Sequence, residues 1–178
     1  MINITFPDGS TKSFDGFPTG FDIAESISEG LARESVAMEL NDKLVDMSTV
    51  VEQDAAIRLI TTREKEALEI MRHSAAHVMA QAVLRVYKDA KLTIGPVIED
   101  GFYYDIDMEP ISEDDFPKIE AEIKKLVKEK IPIQRNEVSK ADALAFYKDE
   151  PYKLEMISAL EDGQISLYKQ GEFTDLCR

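Results

Sequence analysis

Two imidazoles, His73 and His77, lie in the stretch MRHSAAHVMAQAVLRVY at 71–87, and the 178-residue chain has no others. One helical turn separates them, so both side chains can reach one ion or one water. The metalloprotease form of this spacing needs a glutamate after the first histidine as general base, and Ser74 stands there instead. A zinc site would need a third and a fourth ligand, and the only other soft one available is Cys177, far down the chain. Two core histidines with hydrogen-bonded nitrogens are the other reading of so bare a spacing.

The element that must position them is a helix over about 64–88. Leu68, Met71, Ala75, Met79, Ala82 and Val86 form one apolar stripe at helical spacing. His73 and His77 fall on roughly the opposite side, with Ile70, Ala80 and Leu84. No charged side chain occurs between Arg72 and Arg85, although 31% of the chain is charged. A helix apolar on two faces is a central element, and its imidazoles are expected to face a second layer or a cleft.

Before this helix the pattern is that of a small α+β unit, residues 1–62. INITF and TKSF are strands joined by the turn PDGS. A helix follows through FDIAESISEGLA, with Asp22 as the expected N-cap and Gly30 near its end. SVAMEL, KLVDM and AAIRLIT are strands, the first two joined at Asn41-Asp42. One helix across a mixed sheet is the ubiquitin-like β-grasp arrangement.

Residues 63–178 form a second α+β unit, in which the long central helix packs against an antiparallel sheet. LTIGPVIEDGFYYDIDM is a hairpin turning at Glu99-Asp100-Gly101. Ser112 opens a helix to about Lys130, and Ser139 opens another. IPIQRNEV is a strand, PYKLEMISAL is helical with Pro151 in its first turn, and ISLYKQGEFTDLCR holds one or two strands. The chain stops inside an apolar, strand-like pattern, which suggests an excised piece.

Composition sets outer bounds. The apolar fraction of 44% supports a real core, and the net charge of −14 opposes general nucleic-acid binding. Residues 1–62 carry 4 basic and 11 acidic side chains, and residues 63–178 carry 17 and 24. Lys118, Lys124, Lys125, Lys128, Lys130 and Arg135 gather around one helix, as a local basic face or as a solvated face with paired glutamates. No stretch approaches the ~18 apolar residues of a membrane span, and the N-terminus lacks a secretory pattern. A single cysteine excludes an internal disulfide framework, so a reducing, cytoplasmic setting is expected.

The segments RHSAAHVMAQAV, IGPVIEDGFYYDID, YKLEMI and FTDLCR, in this order, resemble the threonyl-tRNA synthetase family. The resemblance covers essentially the whole chain and is strongest over 72–107 and in the last six residues. It implies a TGS domain followed by an editing domain. The parent enzyme attaches threonine to its tRNA using ATP, and the editing domain hydrolyses seryl-tRNA(Thr). By the same resemblance, His73, Lys153, His77 and Cys177 are the catalytic residues. Tyr104 and Asp175 bind the serine ammonium or hydroxyl, or the terminal adenosine. His73 would position or deprotonate a water, and Lys153 would polarise the carbonyl or the leaving ribose oxygen. His77 and Cys177 would shape the pocket and share its water network.

No metal and no cofactor are implied in this region; ATP, magnesium and zinc belong to a catalytic core outside it. The implied partner is the acceptor end of tRNA(Thr) carrying serine, bound weakly. The parent would be a homodimer, this piece a monomer, and no membrane is involved. The family motif runs on to a further histidine, so the editing domain is expected to be truncated at its C-terminus. Three alternatives are weaker. A free-standing trans-editing protein would need a complete pocket. TGS-bearing GTP-binding and stringent-response proteins, where the domain serves interaction, lack the histidine helix and the hairpin motif. A zinc protein would be revealed by metal analysis.

Overall fold

The computed structural model describes residues 1–163 and 165–177. These residues fall into two compact units, Met1–Met71 and Arg72–Arg178.

In the first unit, strands β1 (Ile2–Thr5) and β2 (Thr11–Phe14) form a hairpin. Helices α1 (Gly20–Ile27) and α2 (Glu29–Glu34) follow, then β3 (Ser35–Leu40), β4 (Lys43–Val45) and β5 (Ala55–Thr61). The sheet order is β2-β1-β5-β3-β4, with β1 and β5 parallel and the other pairs antiparallel. This is the expected β-grasp. Asn41 and Asp42 both adopt positive φ, 49° and 66°, as a two-residue turn between twisted strands requires. Ile23 and Ala24 of α1 are fully buried in a core with Ile4, Met38 and Val51. The approach is close: a Cβ on Gly20 would lie 2.9 Å from both Met38 Sδ and the Met47 carbonyl oxygen.

The helix start differs from the expectation. Thr19, not Asp22, is the N-cap. Its hydroxyl accepts the Asp22 N–H at 3.2 Å, and the Asp22 carboxylate accepts the Thr19 N–H at 2.8 Å, a reciprocal capping box. Ser28 then ends α1 and caps α2, so the single expected helix is two, and Gly30 lies inside the second.

Helix α3 spans Lys65–Val86. Its Ala67 and Ile70 pack with Ala37, Ile60 and Val36, which places the first turns with the earlier unit. The division expected at 62/63 marks the end of β5; packing carries the helix start with it. The stripe through Leu68 and Met71 is not core along its whole length. These two are 46% and 45% exposed and Ala75 is exposed, while Ala82 is fully buried. Since α3 is apolar on more than one side, spacing alone does not choose the buried face.

The second unit continues with β6 (Lys91–Leu92), β7 (Val97–Ile98), β8 (Gly101–Phe102) and β9 (Ile106–Asp107). These form one hairpin whose ladder is interrupted: β6 pairs with β9 and β7 with β8. Helix α4 (Phe116–Glu129) begins after a 3-10 turn closed by a Ser112–Asp115 capping box and ends at Lys130 in a left-handed conformation. Strand β10 (Gln134–Glu137), helices α5 (Lys140–Phe146) and α6 (Pro151–Ser158), and strands β11 (Ser166–Gln170) and β12 (Phe173–Cys177) complete it. Strands β10, β11 and β12 form an antiparallel sheet in that order.

Ala82 and Val83 of α3 pack against Ile119 and Leu126 of α4. Arg85 ties the same helices together, with Glu122 at 3.2 Å and Glu129 at 2.7 Å. Along α4, Lys118 pairs with Asp115 and Lys125 with Glu122, the solvated mixed-charge arrangement. No helix among the described residues is long and apolar enough to cross a membrane.

Candidate active site

Two local periodicities build the site. On α3 the i, i+4 spacing puts His73 and His77 side by side, with ring centroids 4.6 Å apart. On β12 the D-x-C spacing puts Asp175 and Cys177 on one face, because alternate strand residues point the same way. The β11–β12 register adds Tyr168 directly opposite Asp175 and Ser166 opposite Cys177.

The second unit brings the two pairs together. His73 Nε2 is 2.9 Å from Cys177 Sγ and 2.9 Å from His77 Nε2, and His77 Nε2 is 3.1 Å from Cys177 Sγ. On its other side, His77 Nδ1 lies 3.3 Å from Asp175 Oδ2, close but without hydrogen-bond alignment. That carboxylate favours a proton on Nδ1 and leaves His77 Nε2 as an acceptor toward the cluster. Tyr168 stacks on His77 at 5.3 Å and 16°, and its ring is 4.9 Å from that of His73.

Asp175 is the hub. Its Oδ1 accepts from Lys153 Nζ at 2.6 Å and from the Leu176 N–H at 2.9 Å. Its Oδ2 accepts from the Tyr104 hydroxyl. Lys153 also donates to the Thr93 carbonyl at 3.0 Å, which uses two of its three N–H bonds. Lys153 and Asp175 are each only 2% exposed, so this is a buried ion pair on α6 and β12.

Electrostatics follow from burial and from this hub. Burial pushes the Asp175 carboxyl up, but His77, Lys153 and Tyr104 outweigh it and hold it at about 2. Burial, then the neighbouring His77, lower His73 to about 4 against the pull of Asp175, so its imidazole is neutral at pH 7. Burial and the Asp175 charge raise the Cys177 thiol to about 12. The same two causes, with the hydrogen bond to Asp175, raise the Tyr104 phenol.

All six residues singled out in the sequence thus converge. Sequence reasoning missed three others. Thr93 acts through its backbone carbonyl, which no side-chain pattern signals. Tyr168 could be inferred only from its register opposite Asp175. Gly95 packs under the Tyr104 ring: a Cβ there would meet ring carbons at 2.3 and 2.4 Å. Its place in the IGPVI segment is the one available signal. As possible metal ligands, the donor atoms of His73, His77 and Cys177 all lie within 4.8 Å of one another. Three such donors suit an open zinc site rather than a closed structural one.

Residues 2–61 match the TGS domain family. Over all 178 residues the chain is 62% identical to a threonine–tRNA ligase of Desulforapulum autotrophicum and 64% identical to one of Desulfatibacillum aliphaticivorans. It is 56% identical to one of Staphylococcus epidermidis, again over the whole chain. In each case the chain spans 28% of the relative's length. Over its whole length the chain belongs with the N-terminal region of the threonine–tRNA ligases, and it opens on their TGS domain.

Proposed function

We propose that residues 63–178 form the editing domain of a threonine–tRNA ligase, which hydrolyses seryl-tRNA(Thr), while the parent protein attaches threonine to tRNA using ATP. The convergence of His73, His77 and Cys177 beside the Lys153–Asp175 pair is the observation that supports this reading most. Serine lacks one methyl group of threonine, and a pocket separates such a pair by only ~1–3 kcal/mol, so a second, hydrolytic site has a purpose.

The proposed step is ester hydrolysis without a metal. The pairwise separations of 2.9–3.1 Å in the triad are hydrogen-bond lengths and suit a proton-sharing network. Neutral His73 orients a water and takes its proton as the water oxygen attacks the ester carbonyl. Lys153, with one N–H left over, faces the developing oxyanion as the cation of the cluster. The carbon–oxygen bond to ribose then breaks, and the ribose oxygen receives the proton from His73. The products are serine and free tRNA. Asp175 and Tyr104 receive the serine end or the terminal adenosine, and His77 and Cys177 shape the pocket. The chain acts as a monomer in the cytoplasm and binds tRNA weakly, because the basic side chains of α4 are partly neutralised.

The test is deacylation of seryl- and threonyl-tRNA by this chain and by one extended through the further histidine of the motif. The extended chain is expected to hydrolyse the seryl ester selectively, and His73→Ala to slow it at least ~100-fold. If the extended chain hydrolyses neither ester, the assignment fails.

A further inference from the structure

Gly95 lies where the β6–β9 and β7–β8 ladders part. The Asp105 N–H donates to the Ile94 carbonyl at 2.8 Å and the Tyr103 N–H to the Pro96 carbonyl at 3.4 Å, so Gly95 and Tyr104 face each other across the gap. The Tyr104 ring lies over the bare Cα of Gly95. A Cβ at residue 95 would sit 2.3 Å from Cδ2, 2.4 Å from Cε2 and 2.9 Å from Cγ. Because Cγ is among the colliding atoms, the ring cannot escape by swinging its tip; its χ1 must change. An aromatic side chain folded across a glycine on the neighbouring strand is a known way to pin a strand pair.

The rest of the ring's surroundings fix it from other sides. Tyr104 packs on the cluster of Ala80, Leu92 and Phe173, and Lys153 Nζ lies 6.0 Å from its centroid. Its hydroxyl ends on Asp175 Oδ2, the oxygen that also faces His77 Nδ1. A displaced ring would withdraw the phenol from this carboxylate and free the carboxylate to turn away from His77.

We propose that Gly95 is a positioning residue for the ester hydrolysis proposed above: its missing side chain is the seat that aims the Tyr104 phenol at Asp175. The inference rests on that reading of the site. It is tested in the extended chain with Gly95→Ala, Tyr104→Phe and the double variant. Gly95→Ala should lower kcat/KM by about 100-fold, the scale of a small misplacement at a reacting site. If the glycine acts through the phenol, the double variant is no slower than Tyr104→Phe. A loss of less than twofold in Gly95→Ala, or losses that multiply in the double variant, overturns the proposal. A second readout does not need activity: the Tyr104 ζ-carbon NMR resonance should shift in Gly95→Ala. An unmoved resonance overturns the seat even if no ester is hydrolysed. Should Gly95→Ala fail to fold, Gly95→Ala/Tyr104→Leu must fold, since the colliding ring is gone. Failure of that double variant would refute the collision.

Discussion

Replacing Asp175 with Asn removes the anion from a hub in which Lys153 is only 2% exposed. Two effects compete in setting the cost. Linkage from the lowered carboxyl pKa, about 2 against an unfolded 3.8, amounts to about 2 kcal/mol at neutral pH. Leaving the Lys153 ammonium buried against only the Thr93 carbonyl and a neutral amide costs more, ~3–5 kcal/mol for a one-sided break of a buried pair. The second effect dominates. With a urea dependence of about 2 kcal/mol per molar, the unfolding midpoint of the second unit should fall by about 1.5–2.5 M. Tyrosine fluorescence isolates that unit, because the chain has no tryptophan and all six tyrosines lie at residue 87 or beyond. Lys153→Met combined with Asp175→Asn should recover at least half of the loss, since no unpaired charge remains. The pH dependence has a definite sign. The folded pKa of Asp175 is depressed, so its contribution is full above pH 3.8 and disappears as the pH falls through about 2. The gap between the unaltered chain and Asp175→Asn should therefore narrow between pH 4 and 2. A change below 1 kcal/mol at pH 7, or a gap that widens in acid, would refute the buried-hub argument.

Two further outcomes are expected. Thr19→Ala removes the capping hydroxyl of α1 and should cost ~1 kcal/mol, read as about fivefold faster native-state hydrogen exchange of the α1 amides; unchanged exchange would show that the box is idle. Metal analysis of the purified chain should find far less than one zinc per molecule; a full equivalent lost with Cys177→Ser would replace the water mechanism by a metal one.

Local rules carried far in this chain. A turn at Asn41-Asp42, the box at Ser112 and the cap at Ser139 follow from interactions a few residues long, which the sequence displays directly. The same holds for half of the site's geometry. Two histidines four apart must share a helix face, and Asp175 and Cys177 two apart must share a strand face. The cap of α1 is not legible in this way, because Thr19 and Asp22 both suit the position and the choice depends on where the backbone turns helical.

Tertiary structure decided what distance along the chain conceals. Which side of α3 is buried depended on the elements packed against it, and Leu68 and Met71 proved exposed. The pairing of Lys153 with Asp175, from a helix and a strand 22 residues apart, needed the fold to bring two charges together out of water. The demand for glycine at residue 95 comes from a ring on the opposite strand, and the Thr93 carbonyl acts without any side chain at all. Sequence types and spacings determined which groups could do chemistry here. Only packing, a long-range sum over many neighbours, determined how those groups are buried, paired and aimed.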